Sequence, residues 1–285
     1  MNSKYYKLFI IIFIILFIFL IINILLQNDI LYDKNKKSDL EKDGFFIFKN
    51  ILSEDELKKI KEQCKNNEYK IVKENLINNF KINEIINKNI GINHQFQDYI
   101  FIIKKSSIHT CHRDNNGDFF NKGQKYPSYT GIIFLEKMEK CLGLIPKSHK
   151  NINSFGINIK NRVVNILCNP GDMIIFNANL IHVGTLNKKD DHLRIQMKIT
   201  HKEDIDKIFY YNNYNKILNE NNKLPSYIKK YQKNLSCSFP IFSVLSQKII
   251  EKNSTKNNNT KDFFKNSFAY LFNGDSNFYN FKNAF

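Results

Sequence analysis

Between Tyr99 and His201 the chain is a series of short apolar runs, each rich in β-branched or aromatic residues and bounded by turn residues: YIFIIKK, SIHTCHRD, YTGIIFLE, GLIP, RVVNILC, DMIIFNA, LIHVGT and LRIQMKIT. No stretch of helical period lies between them. A parallel α/β sheet needs crossover helices, so this pattern instead specifies a sandwich or barrel. The segment sets the fold class, a mainly β core with flanking helices.

Upstream, DGFFIFKN (43–50) reads as one more strand, and it leads into a helix start. Ser53 is the N-cap of a capping box with Glu56 at N3, while Leu52 and Leu57 form the hydrophobic staple. The helix runs to about Cys64, with Leu57, Ile60 and Cys64 on one face. Further upstream, Leu8 to Leu26 (LFIIIFIILFIFLIINILL) holds no charge and one polar residue, Asn23. At 1.5 Å per residue it covers about 28 Å, the hydrocarbon thickness of a bilayer. A cleaved signal peptide has a shorter apolar centre and small residues at its cleavage site. This run is long and bulky and continues into LLQNDILYDKNKK, so an uncleaved signal anchor is expected. Lys4 and Lys7 before the span and Lys34, Lys36 and Lys37 after it do not decide orientation. By default a single N-terminal span leaves a short cytoplasmic tail and places the large domain on the lumenal, extracytoplasmic side.

The organisation read from sequence is a tail (1–7), a transmembrane anchor (8–26), a polar linker (27–40), the β domain (41–200) and a C-terminal extension (201–285). The extension is helical and polar, and its stretch EKNSTKNNNTKD has the composition of a disordered segment.

The net charge of +16 comes from 43 basic residues, of which only Arg113, Arg162 and Arg194 are arginines. The lysines are spread along a chain equally loaded with Asn and Ile, the signature of biased base composition. No arginine-rich or aromatic-interleaved patch marks a nucleic-acid surface, and no nucleic-acid partner is expected. In such a chain each arginine is informative, because lysine stands wherever either cation serves. Five scattered cysteines without a C-x-x-C pair exclude a disulfide scaffold and a thiolate zinc site. Cys111 and Cys141 are the candidates for a pair in an oxidising lumen. Asn234, Asn253 and Asn258 begin N-x-S/T sequons, which matter only for a lumenal domain.

Three fragments carry chemistry. In a strand, residues i and i+2 share a face, so His112 and Asp114 point to one ion while Arg113 points away. His182 ends a later strand, and Arg194 lies twelve residues on, in a run whose alternation puts Arg194, Gln196 and Lys198 on one face. Two histidines and one carboxylate form the facial triad of non-heme Fe(II) oxygenases, with open positions for co-substrate and O2. A 2-oxo acid that chelates the iron leaves a far carboxylate, which the planar fork of an arginine suits better than a lysine.

In this order the fragments resemble the phytanoyl-CoA dioxygenase-like branch of the 2-oxoglutarate and Fe(II)-dependent oxygenases. DGFFIFKNILSEDEL (43–57) is similar to that family's opening strand and capped helix, and His112–Asp114 to its H-x-D. IPKSHK (145–150) is similar to its P-G-S-H-K loop, with Lys147 where glycine is usual. Pro170–Arg194 is similar to its P-G-D turn, apolar strand, distal histidine, Asn187 and arginine. The resemblance covers residues 41–200. It implies a double-stranded β-helix (jelly roll), Fe(II) held by His112, Asp114 and His182, 2-oxoglutarate paired by Arg194, O2 as oxidant, and a hydroxylated product with succinate and CO2. Lys104, on the strand before the H-x-D, is a further candidate for 2-oxoglutarate. Thr130, Thr185 and His149 are small or polar candidates near the site for which structural roles are the simpler expectation. The substrate is expected to be a small molecule, a lipid or a secretory-pathway molecule. The contrasting reading is a membrane-tethered jelly-roll binding module without catalysis.

Overall fold

The computed structural model describes residues 3–33, 37–105, 109–114, 124–151, 156, 158, 162–187, 191–207, 218–241 and 262–278. The Asn/Lys-rich stretch expected to be disordered lies outside them as far as Lys261, and with it Asn253 and Asn258.

Two sheets face each other. The first has five antiparallel strands in the order β2 (Phe45–Phe48), β7 (Met173–Asn177), β4 (Tyr129–Phe134), β9 (Asp191–His201) and β3 (His94–Lys105). The second has the order β1 (Ile30–Leu31), β6 (Val164–Ile166), β5 (Leu142–Leu144) and β8 (His182–Val183), antiparallel except for the β1–β6 pair. This is the layering of a jelly-roll core.

Period-2 alternation sorts the side chains of the larger sheet. Phe45, Ile132, Phe134, Ile174 and Phe176 turn inward against Leu142, Leu144 and Ile166 of the smaller sheet. Their neighbours Ile133, Met173, Ile175, Ile195, Met197 and Ile199 turn outward. That outer face is covered by α2 (Glu54–Lys65), α3 (Tyr69–Ile77) and α4 (Phe80–Asn89), which bury Ile60, Cys64, Val72, Leu76, Ile82 and Ile86. Because β4 and β7 are buried on both faces, their sequences read as nearly continuous apolar runs.

The capping box forms as the sequence specifies. Ser53 Oγ accepts from the Glu56 amide and Glu56 Oε2 accepts from the Ser53 amide at 2.8 Å. The Gly171–Asp172 turn is structural: Gly171 has φ +86°, and the buried Asp172 carboxylate accepts from Lys49 Nζ and the amides of Asn50 and Asn169. Lys147, standing where the similar family has glycine, adopts φ +67°.

Three expectations are corrected. Residues 27–40 are not simply a linker, because Ile30 and Leu31 pair with β6 and so belong to the smaller sheet. Cys111 pairs with Cys237 and not with Cys141; the Cys141 thiol instead accepts from the Cys168 amide at 3.1 Å. Asn234 is buried in α5 (Ser226–Ser238) with its amide donating to the Leu25 and Gln27 carbonyls, so this sequon is closed to a glycan in the folded chain. The last helix, α6, spans Asp262–Asn273.

Candidate metal centre

His112 and His182 come together through a two-residue antiparallel bridge, each amide donating to the other's carbonyl at 2.9 Å. Asp114 follows two residues after His112 and so returns to the same side. The ligand atoms of the three residues lie within 4.8 Å of one another. Asp114 Oδ1 is 3.6 Å from His112 Nε2 and 3.4 Å from His182 Nε2.

The hydrogen bonds around the cluster fix what faces its centre. His112 Nδ1 lies 3.0 Å from the Thr110 carbonyl and His182 Nδ1 2.9 Å from the Leu180 carbonyl. A carbonyl only accepts, so each Nδ1 donates its proton there and the Nε2 of each ring is left facing the centre. Burial lowers the His182 pKa, with the Asp114 charge only partly opposing, so the ring is neutral at pH 7. Its Nε2, with His112 Nε2 and the Asp114 carboxylate, converges on one point, a donor set that suits a cation. Donors placed about 2.1 Å from a divalent ion at right angles sit about 3.0 Å apart, so the two histidine–carboxylate separations of 3.6 and 3.4 Å are a few tenths of an ångström wider than a bound ion would hold them.

The other carboxylate oxygen is occupied. Asp114 Oδ2 accepts from Thr130 Oγ1 at 2.5 Å and from Lys198 Nζ at 2.5 Å, and Lys198 also donates to Thr130 Oγ1 at 2.8 Å. Burial alone would raise the Asp114 pKa, but Lys198 and the two imidazoles outweigh it and hold the carboxyl well below its ordinary range. Asp114 therefore offers one oxygen, Oδ1, to an ion. Thr130 is thus part of the site and not merely a core residue. Thr185 is not, since its hydroxyl donates to the Lys140 carbonyl in a turn that Asn187 also braces.

Arg194 lies in the same cavity as His112, Asp114 and His182, together with Gln196, Ile103, Lys105 and Leu218. It is 7% exposed, and burial lowers its pKa to about 10, which leaves it charged at pH 7. The alternation read on β9 holds: Arg194, Gln196 and Lys198 all face the cluster side, and Ile195, Met197 and Ile199 the helices. Lys104 is corrected. Strand period places Ile103 and Lys105 on the cavity side, so Lys104 points outward and its ammonium meets Asn67 Oδ1 at 3.4 Å. Lys105, one residue on, is the lysine of the cavity, with its ammonium 2.6 Å from Asn221 Oδ1.

The remaining candidates are structural. Arg113 is buried and donates to the carbonyls of Asn179, Ser148 and Asn151. His149 lies beside Gly44, with Nε2 2.9 Å from the Glu41 carbonyl. His109 bonds Gln232 and Asn222 of the C-terminal extension.

No protein-family model matches the sequence, and no curated protein matches it. Among solved structures, the epimerase SnoN in complex with Fe3+, α-ketoglutarate and nogalamycin RO is 13% identical, with a TM-score of 0.47 over 57% of this chain and 80% of its own. The non-heme α-ketoglutarate-dependent carbocyclase SnoK from nogalamycin biosynthesis is 13% identical, with a TM-score of 0.47 over 61% of this chain and 87% of its own. HygX from Streptomyces hygroscopicus, with nickel and 2-oxoglutarate bound, is 13% identical, with a TM-score of 0.44 over 57% of this chain and 84% of its own.

Proposed function

We propose that this chain is a membrane-anchored Fe(II)- and 2-oxoglutarate-dependent dioxygenase of the phytanoyl-CoA dioxygenase-like kind, built on a double-stranded β-helix. The observation that carries the reading is the convergence of His112 Nε2, His182 Nε2 and Asp114 Oδ1 with both imidazole protons tied up on carbonyls behind them. Ferrous iron held there by the three residues together with 2-oxoglutarate would activate O2, the oxidant, so that one oxygen atom enters a C–H bond and the other enters succinate as CO2 is lost.

The chain's own residues do the rest. The Nδ1 bonds lock both histidine rings so that no ligand has to rotate into place. Lys198 and Thr130 restrict Asp114 to one oxygen, which keeps positions open for co-substrate and O2. A carboxylate at this position favours hydroxylation over halogenation, which needs that place vacant for halide. Arg194, buried and charged, pairs the far carboxylate of 2-oxoglutarate. Ile103, Ile132, Leu142 and Leu218 line the cavity with apolar surface that excludes bulk water from the pair.

The helix α1 (Ser3–Leu25), whose Tyr5–Leu25 stretch is apolar and 6% buried, is the anchor. The Cys111–Cys237 disulfide supports placing the domain in an oxidising, extracytoplasmic compartment. A tethered enzyme there favours a lipid or secretory-pathway substrate. The test is succinate formation by the full chain given Fe(II), ascorbate, 2-oxoglutarate and O2. Turnover that His112→Ala and His182→Ala abolish is expected, and equal turnover in wild type and both variants would refute the reading.

A further inference from the structure

The anchor helix does not run out into free chain. In its last turn Ile24 is 3% exposed, whereas Phe19 and Leu26 are 66% and 61% exposed. The surface that receives it is α5. Asn234 Nδ2 donates to the Leu25 and Gln27 carbonyls at 2.9 Å each, satisfying acceptors that a helix end leaves without an internal partner. Lys230 Nζ reaches Asn28 Oδ1 at 3.0 Å, and Lys233 Nζ pairs with the Asp29 carboxylate at 2.5 and 2.6 Å. Asp29 also accepts from Asn165 of β6, and the chain continues directly into β1. The far end of α5 is fixed in turn, because Cys237 is bonded to Cys111 and the Cys111 amide donates to Ser236 Oγ at 2.8 Å. The end of the span, α5 and the segment carrying Cys111 and His112 are thus joined by direct bonds.

Given the reading of α1 as a span, on which this inference rests, we propose that α5 lies in the lipid headgroup layer, with Tyr227 and Tyr231 as its aromatic anchors. The two rings are exposed, 61% and 39%, and meet edge to face at 6.4 Å. Each stands three residues before a residue that binds the end of α1, Lys230 and Asn234. At 100° per residue the tyrosines occupy the neighbouring strip of the helix, beside the emerging span. The span itself is asymmetric. Its first end carries Tyr5 and Tyr6, whereas its last end, Leu25–Leu26–Gln27–Asn28, carries no aromatic residue. A ring with an apolar body and a polar tip is the side chain suited to a membrane–water interface, and α5 supplies two where α1 has none. The catalytic domain would then be held at a fixed height and orientation on the bilayer.

The chain contains no tryptophan, so a single introduced one reports alone. Full-length Tyr231→Trp, Tyr227→Trp, Phe17→Trp and Phe80→Trp are each placed in vesicles containing phosphatidylcholines brominated either near the headgroup or deep in the chains. Phe80 is 81% exposed on α4, in the helical layer outside the other sheet, and serves as the aqueous reference. Tryptophan at 227 and 231 is expected to emit blue-shifted from the 80 variant and to be quenched most by shallow bromines, with Phe17→Trp quenched most by deep ones. Quenching at 17 but none at 227 and 231 beyond that at 80 overturns the interfacial placement alone. Absence of quenching at 17 as well overturns the span, and the placement with it.

Discussion

Lys198→Met separates two effects of one side chain. Asp114 is 4% exposed at its side chain and Lys198 17%, and they touch at 2.5 Å. Removing one partner of a buried ion pair costs about 3–5 kcal/mol, and the partial exposure of the lysine puts this case near the lower end, about 3 kcal/mol. For a domain of this size that is a fall of roughly 6–12 °C in melting temperature for the metal-free chain. The same ammonium repels any divalent ion held at Asp114 Oδ1. Unit charges 4 Å apart interact by about 4 kcal/mol at an effective dielectric near 20. Solvent reaching the lysine reduces the repulsion to the order of 1–2 kcal/mol, or about tenfold in affinity. Lys198→Met should therefore melt lower than wild type without metal, bind Mn(II) about tenfold tighter, and recover part of the lost stability at saturating Mn(II). Far-UV circular dichroism melts with and without Mn(II), beside calorimetric titration, read both quantities. A variant that is folded yet binds Mn(II) more weakly than wild type refutes the charge-balance reasoning and makes Lys198 a positioner of Asp114.

Arg194→Met should weaken 2-oxoglutarate binding by roughly 10–100-fold, the 1.5–3 kcal/mol of a charged hydrogen-bonded pair, and leave Mn(II) affinity unchanged by calorimetry. Metal-free stability should fall with acid in two stages. His182, with its pKa lowered by burial, costs nothing above about 6.5, the ordinary value, and destabilises as pH drops from there toward its native value. Asp114, with its pKa depressed, contributes stability that is full above about 3.9 and is lost as pH falls through its native value. Urea midpoints that stay flat between pH 7 and 4 contradict this. Non-reducing peptide mapping should recover Cys111 linked to Cys237, with Cys64, Cys141 and Cys168 alkylated only after unfolding, since all three are buried.

The parts of the fold that were legible in sequence are those set by local rules. The capping box at Ser53, the alternation of β9 and the H-x-D geometry each follow from the spacing of a few neighbouring residues. The two-residue strand at Ile30 was not legible, because its partner β6 lies more than 130 positions away and the segment itself reads as polar. Nor were α3 and α4, whose Asn- and Lys-rich sequences hide the short apolar stripes Val72–Leu76 and Ile82–Ile86. Lys104 and the cavity's Lys105 are neighbours, and one residue in a strand is the whole difference between cavity and solvent. The pairing of Cys111 with Cys237 and the entry of Leu218 into the cavity depend on how the C-terminal extension folds back, which no periodicity records. The alternation of β9 puts Lys198 on the site's face, but its bond to Asp114 depends on a partner 84 positions away that no local pattern specifies.

The most direct test of the central claim is an anaerobic titration of the metal-free full chain with Fe(II) and then 2-oxoglutarate, followed in the visible for the weak charge-transfer band of the chelated complex. The full chain is needed because truncation beyond Asn28 strips β1 from its sheet. The expected result is a band that His182→Ala abolishes and Arg194→Ala shifts to higher 2-oxoglutarate concentration. A folded chain that gives no band, or one indifferent to His182→Ala, would contradict it and leave a tethered binding module in its place.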